Sequence, residues 1–296
     1  MERNCVRWGK IGSRAIASVL LVAACFVDEG PPQATSSSSE ASGSTGVSTG
    51  VSTMETTTET TAGTTTTGTP TETTDAPVGA PIFTCPDVPE LVLCYEFETG
   101  WTDGLLLDTS DSLLHGTMLS TIRVPGHGGV AAELVGESRV FAPFKAAVIQ
   151  RLLKGFTVAA WIRPTAEVYS GTRGVIEREG HIRLALVGGG EGYEVSCDSP
   201  KIDPSITTLN LAADEWVHVA CIYDGKSLSV WVNGVMRDET SALIEQVGND
   251  SLWIGNDGPS PGASSALIGL VDEVQIWSIA LGQQALCGAA GIAECS

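Results

Sequence analysis

From residue 83 onward the apolar positions alternate with polar ones at a period of two, which is the signature of half-buried strands. In Phe156–Arg163 the residues Phe156, Val158, Ala160 and Ile162 fall on one face, and Pro164 stops the run. A second run, Glu215–Tyr223, ends at Asp224-Gly225, a type I′ hairpin signal. The chain then returns through Leu228, Val230 and Val232, with Ser229 and Trp231 on the opposite face, and turns again at Asn233-Gly234. These runs predict an antiparallel meander. Leu252–Gly255 and Leu267–Trp277 supply two more strands, and only Gln283–Ala290 has helical character. Many short strands punctuated by Gly and Asp predict an all-β fold of two packed antiparallel sheets, a jelly-roll sandwich.

The pattern changes sharply before residue 83. Residues 25–82 carry seven acids and no base, and Thr35–Thr74 is almost wholly Ser, Thr and Gly. Such a segment cannot bury enough apolar surface to offset the entropy of ordering, so it is expected to be a disordered stalk with a reach on the order of 40 Å. Residues 1–24 combine Arg3, Arg7, Lys10 and Arg14 with the apolar run Ala15–Ala24. That run is about half the length of a membrane span and fits the apolar region of a signal peptide. The string Val22-Ala23-Ala24-Cys25 resembles a bacterial lipobox, which marks Cys25 for lipidation. The expected organisation is a lipoprotein signal at 1–24, a linker at 25–82 and a single domain at 83–296. The protein is then exported and held at the cell envelope or surface by an N-terminal lipid, or secreted if Cys25 is not lipidated.

Charge narrows the partners. The 35 acidic residues oppose 16 basic ones for a net charge of -19, and 27 of those acids but only 12 of those bases fall after residue 82. Nucleic acid is excluded as a partner, because phosphate binding needs clustered Lys and Arg. With Cys5 removed in the signal and Cys25 lipidated, six cysteines remain: Cys85, Cys94, Cys197, Cys221, Cys287 and Cys295. An even count in an exported chain argues for disulfides. Spacing ranks Cys85 with Cys94 and Cys287 with Cys295 as short terminal loops, and Cys197 and Cys221 lie in strands that could be neighbours.

Five strings in order resemble one family: CYEFETG at Cys94, DTSDSLLHGTM at Asp108, GFTVAAWIRP at Gly155, DEWVHVACIYDGKSLSVWVNGV at Asp214 and IGLVDEVQIWSIALG at Ile268. They are similar to the laminin-G-like, concanavalin A-like lectin/glucanase jelly rolls over nearly all of residues 91–290. The resemblance implies two curved antiparallel sheets and a ligand that is a glycan, a protein or calcium. Where calcium occurs in such domains it joins an early loop to the last long strand, which points to Glu96, Glu98, Asp108 and Asp272 as candidate ligands. Asp108 opens DTSDSLLHG, where Asp111 and Leu113-Leu114 depart from the small residues usual in that turn. The competing role for Asp108 and Asp272 is to cap turns.

Catalysis is not expected. The ExDxxE string of hydrolase relatives is absent, Glu177-Arg178-Glu179 stops after two acids, and Asp272-Glu273, being adjacent in a strand, should point to opposite faces. The four histidines, His115, His127, His181 and His218, come without GxSxG. Trp161, Trp216, Trp231 and Trp277 lie in regular strands and are assigned to packing. Trp101, Tyr169, Tyr193 and Trp253 lie in or beside loops and are the candidate ligand contacts. The sequence thus describes a non-catalytic, disulfide-stapled domain that recognises an extracellular glycan or protein, with structural calcium as its candidate cofactor. A glycoside-hydrolase-related enzyme of the same fold and a purely structural envelope protein are the alternatives.

Overall fold

The computed structural model describes residues 83–99, 101, 104–165, 171–178, 181–188, 192–199, 202–206, 210–244, 251–256 and 265–295. The signal, Cys25, the linker and Tyr169 lie outside the described residues, and no described helix is long and apolar enough to cross a membrane.

The chain runs β1 (Leu91–Tyr95), β2 (Leu105–Leu106), β3 (Gly116–Leu119), β4 (Ile122–Pro125), β5 (Val130–Leu134), β6 (Arg139–Pro143), α1 (Ala146–Leu152) and β7 (Phe156–Pro164). It continues through β8 (Gly171–Arg178), β9 (Ile182–Gly188), β10 (Tyr193–Ser199), β11 (Ile202–Ile206), β12 (Val217–Tyr223), β13 (Ser227–Val232) and β14 (Val235–Ser241). It closes with β15 (Ser251–Ile254), β16 (Gly269–Trp277) and α2 (Gln283–Ala289). Two eight-stranded antiparallel sheets result. Sheet A has the order β14-β13-β12-β7-β16-β5-β4, with β1 also paired to β16, and sheet B the order β11-β10-β9-β8-β15-β6-β3-β2. The architecture is the expected jelly-roll sandwich.

The inward rows follow the parity of the sequence. Phe156, Val158, Ala160 and Ile162 of β7, Val219, Cys221 and Tyr223 of β12 and Leu228, Val230 and Val232 of β13 meet Leu184 and Leu186 of β9 and Val195 and Cys197 of β10 in one core. The buried α1 was not expected; its Val148, Ile149 and Leu152 seal one end of that core. The disulfide Cys197–Cys221 joins β10 of sheet B to β12 of sheet A, with Cα atoms 5.6 Å apart. The other two bridges are Cys85–Cys94 and Cys287–Cys295, so all three pairings match the ranking from spacing.

The two Gly turns differ from each other. At Asn233-Gly234 the pair Val232–Val235 closes a two-residue turn, and positive φ at Asn233 (49°) and Gly234 (74°) makes it type I′. At Asp224-Gly225 the closing pair is instead Tyr223–Leu228, so the loop is longer than a type I′ turn. The cause is the Asp224 carboxylate, which accepts hydrogen bonds from the Lys226 and Ser227 amides and is held below the ordinary carboxylate pKa by them.

The outward face of sheet A is sealed by a second apolar cluster. Leu91, Cys94, Ala159, Ala220, Ile222 and Trp277 pack beneath Leu281 and Leu286, with Phe83 and Cys85 at the margin. Both the segment preceding β1 and the C-terminal α2 therefore lie on this side.

Candidate ligand-binding face

Sheet B carries its chemistry on the opposite, outward side. Cross-strand pairing lines up Thr117 of β3, Phe141 of β6, Trp253 of β15, Glu177 of β8, Arg183 of β9 and Asp198 of β10 as a single transverse row. At about 4.8 Å per strand, the four steps from Phe141 to Asp198 span on the order of 19 Å. The row has an aromatic half and a charged half. Phe141 and Trp253 lie with ring centroids 4.9 Å apart, and the Arg139 guanidinium sits 5.7 Å over the Trp253 ring. At the other end Arg183 grips Asp198 in a fork at 3.0–3.1 Å, and the Ser196 hydroxyl donates to the same carboxylate at 3.2 Å. Thr117 is exposed and Phe141, Glu177 and Arg183 are half-buried, whereas the matching rows of sheet A are sealed. Flat rings beside fixed donors and acceptors are what a sugar ring or a peptide edge requires: an apolar face to lie on and groups to orient it.

Trp253 is the one expected aromatic contact that belongs to this row. It is only 7% exposed, because Arg139 and Phe141 cover it, and its Nε1 has no hydrogen-bond partner among the described residues. Tyr193 instead shares the inward parity of Val195 and Cys197 and gives its hydroxyl to the Thr165 carbonyl at 2.6 Å. Trp101 leans on Phe97 and donates to the Phe97 carbonyl, packed against the core. Tyr193 is buried and Trp101 half-buried, and neither belongs to the row. Phe141, Arg139, Arg183 and Asp198 were not singled out from sequence, and Glu177 was weighed there only as half of an acid pair, since their alignment depends on strand register.

The four carboxylates expected to share calcium all accept backbone amides: Glu98 and Asp272 meet at the β4–β5 turn, while Glu96 and Asp108 bind amides elsewhere. Glu96 accepts from Cys85 N, and Glu98 from Val130 N. Asp108, 2% exposed, accepts four hydrogen bonds: Cys94 N (2.9 Å) and Ser110 N (3.0 Å) on Oδ1, Leu114 N (2.7 Å) and the Ser110 hydroxyl (3.0 Å) on Oδ2. It is the hub of the loop it opens. Asp272 accepts from the amides of His127 and Glu273 at 2.9 and 2.8 Å. Among the described residues, no three His, Cys, Asp or Glu side chains are grouped so as to hold a metal ion.

Asp272 and Glu273 also correct the expectation of opposite faces. The β16 register shifts between Asp272 and Gln275, and Glu273 takes a left-handed φ of 48°. This bulge re-aims Glu273, so both acids reach the β4–β5 turn: Asp272 at its amides, Glu273 at the His127 ring, 3.1 Å from Nδ1. His127 in turn stacks on Trp161 at 3.7 Å and meets Trp216 edge-on at 5.9 Å. Burial, then the Glu273 charge, pushes Asp272 up to about 8 against the pull of the His127, Glu273 and Gly128 amides. The cluster fixes a turn of three glycines and holds no nucleophile. The remaining histidines are structural: His115 accepts from Asp108 N, and His181 and His218 are buried, with burial pushing them down to about 4 and about 3.

Residues 142–287 match the family model described as the concanavalin A-like lectin/glucanases superfamily, Laminin_G_3. Among solved structures, domain 4 of AbnA, an extracellular GH43 arabinanase from Geobacillus stearothermophilus solved with arabinotriose, superposes with a TM-score of 0.54 at 21% identity, covering 68% of this chain and 98% of that one. The binding domain of botulinum neurotoxin DC matches in its complex with SialylT (TM-score 0.51, 10% identity) and in its complex with rat synaptotagmin II (TM-score 0.50, 10% identity). Each neurotoxin match covers 69% of this chain and 52% of the other, so this chain spans about half of the neurotoxin domain. At these identities the likeness is one of fold. No curated protein matches the chain.

Proposed function

We propose that this protein, whose residues 142–287 match the laminin-G-like model of the concanavalin A-like lectin/glucanases superfamily, is a non-catalytic, exported receptor for an extracellular glycan or protein. The observation that carries the reading is the transverse row on sheet B, with the half-buried Phe141, backed by Trp253, as its apolar surface and Glu177 and the Arg183–Asp198 fork as the orienting polar groups. Similar structures support it: one was solved with arabinotriose, the others with SialylT and with synaptotagmin II. The Asp198 carboxylate is already engaged by Arg183 and Ser196, which suits it to holding a ligand in register better than to transferring a proton. The six paired cysteines fit an oxidising compartment, and the Val22-Ala23-Ala24-Cys25 string supports a lipid anchor.

The test is a glycan and extracellular-protein array probed with wild type, Phe141→Ala, and the double variant Arg183→Ala/Asp198→Ala. Both variants should lose a wild-type hit at least tenfold while keeping the melting transition. A hit that survives both moves the site off sheet B. Release of reducing sugar from a bound polysaccharide would replace the receptor reading with an enzyme. The anchor is tested separately: Cys25→Ser should move the protein from the detergent phase to the aqueous phase, and equal partitioning removes the lipid from the proposal.

A further inference from the structure

The chain after β16 crosses the outward face of sheet A and is held there at both ends. Near its start, Thr157 Oγ1 donates to the Ile279 carbonyl (3.0 Å) and accepts from Leu281 N (2.9 Å), and Leu281 and Leu286 sit in the apolar cluster. Near its end the grip is polar: Gln275 Nε2 donates to the Ala289 carbonyl at 2.8 Å, and Trp161 Nε1 to the Ala290 carbonyl at 3.1 Å. The Cys287–Cys295 bridge rests on the β13–β14 turn so closely that a Cβ on Gly234 would come within 2.2 Å of the Cys287 sulfur.

His218 lies between those last two contacts. It pairs with Trp161 across β12 and β7, with the two rings edge-on at 5.5 Å, and its backbone is bonded to Asn233, next to Gly234. An outward-facing histidine on a sheet would ordinarily reach water, yet His218 is 2% exposed and its Nδ1 has no partner among the described residues. No neighbouring group compensates a charge there. Trp161 on β7 and Asn233 on the β13–β14 turn are neutral, and residues 288–293 are Gly, Ala, Ala, Gly, Ile and Ala. The titratable group acting on it is His127, from the β4–β5 turn, with Glu273 on the far side of that ring.

We propose that the C-terminal segment is an acid-released strap: protonation of His218 detaches residues 287–293 from sheet A and breaks the bond from Trp161 Nε1 to Ala290. In the closed state burial, and secondarily His127, holds the imidazole down at about 3, while in the released state it regains its ordinary value of about 6.5. The released state therefore binds the proton more tightly, and each pH unit below 6.5 multiplies the released fraction by up to about tenfold. The short hydrogen-bonded end, seated on small side chains, lifts while Leu281 and Leu286 stay packed.

Hydrogen exchange on the full-length protein between pH 7.5 and 4.5, corrected for the intrinsic rate, tests this. Protection at 287–293 should fall by up to about tenfold per unit below pH 6.5 and should lie below that of the β7 and β12 amides, which exchange only through global opening, at every pH. In His218→Phe the decline should vanish. If that variant fails to fold, Trp161→Phe gives the second reading: loss of the bond to Ala290 should raise exchange at 287–293 by a constant factor at every pH and leave the slope intact. A wild-type profile that is flat to pH 4.5, a slope that persists in His218→Phe, or a slope abolished in Trp161→Phe overturns the proposal.

Discussion

Replacing Asp108 should be among the most damaging single changes in the domain. Its carboxylate is the acceptor for three buried backbone amides, those of Cys94, Ser110 and Leu114. In Asp108→Ala all three donors lose their partner, at about 1–3 kcal/mol each, so the cost should be about 3–9 kcal/mol against a total stability of about 5–15 kcal/mol. The Ser110 hydroxyl keeps the Val92 carbonyl as an alternative at 3.0 Å and adds little. Asp108→Asn separates charge from shape: Asn can retain the two bonds on one oxygen but turns a donor toward Leu114 N, costing about 1–3 kcal/mol. Urea unfolding with the m-value checked for constancy measures both. Calcium is a separate question. Four accepted bonds leave Asp108 no lone pair for a cation, so Asp108→Ala should leave any calcium dependence of the melting temperature unchanged, whereas an ion at Glu98 and Asp272 filled at 100-fold over its Kd would add about 2.7 kcal/mol. Asp108→Ala within about 1 kcal/mol of wild type would show that the hub assignment is wrong.

Three further outcomes follow from the fold. Cys197→Ala/Cys221→Ala, opening the loop between β10 and β12, should cost about 3–4 kcal/mol by releasing entropy to the unfolded chain, and reductant should destabilise wild type by that much more than the variant, which keeps the other two bridges. Stability should peak near pH 6. His181 and His218, depressed to about 4 and 3, lend stability that is present above about 6.5 and lost as pH falls toward those values, whereas Asp272, raised to about 8, lends stability that is full below about 4 and lost as pH rises through 8. Each group can contribute a slope of about 1.4 kcal/mol per pH unit, so thermal melts across pH 4–9 should show a maximum that His181→Phe flattens on its acid side. Gly234→Ala should destabilise by about 1–3 kcal/mol, because φ there is +74° and the Cys287 sulfur occupies the space; a neutral result would mean that the C-terminal loop does not sit on the turn.

The strands that alternate cleanly were legible because burial on one face imposes parity on the sequence: Phe156 to Ile162 and Leu228 to Val232 point inward as the alternation requires. Trp161 and Trp277 were assigned to packing from their place inside strands, and both are buried, but on the outward face of sheet A. What was hidden depends on distant register or on a broken parity. Glu177, Arg183, Asp198, Phe141 and Trp253 come from five strands, and nothing local to any of them announces the shared row. Glu273 faces its neighbour's side only because β16 bulges there, a change that parity arithmetic gets wrong by one residue. For Asp108 the sequence left two roles open, calcium ligand and turn cap; the hydrogen bonds from Cys94, Ser110 and Leu114 amides are those of the cap, and which amides it gathers was not legible because amides carry no side-chain signature.

The Cys85–Cys94 clip has a mechanical meaning if the domain is pulled from its N-terminal side. Tension arriving at Cys85 passes through a covalent bond into β1 at Cys94, bypassing residues 86–93, and is then resisted by the β1–β16 pairing. From sheet A the load reaches the row on sheet B through Cys197–Cys221, a second covalent link. A ligand held on Phe141 and Arg183 would thus be tethered along a path in which non-covalent pairing within the sheets is the compliant part and both crossings are bonds that do not slip.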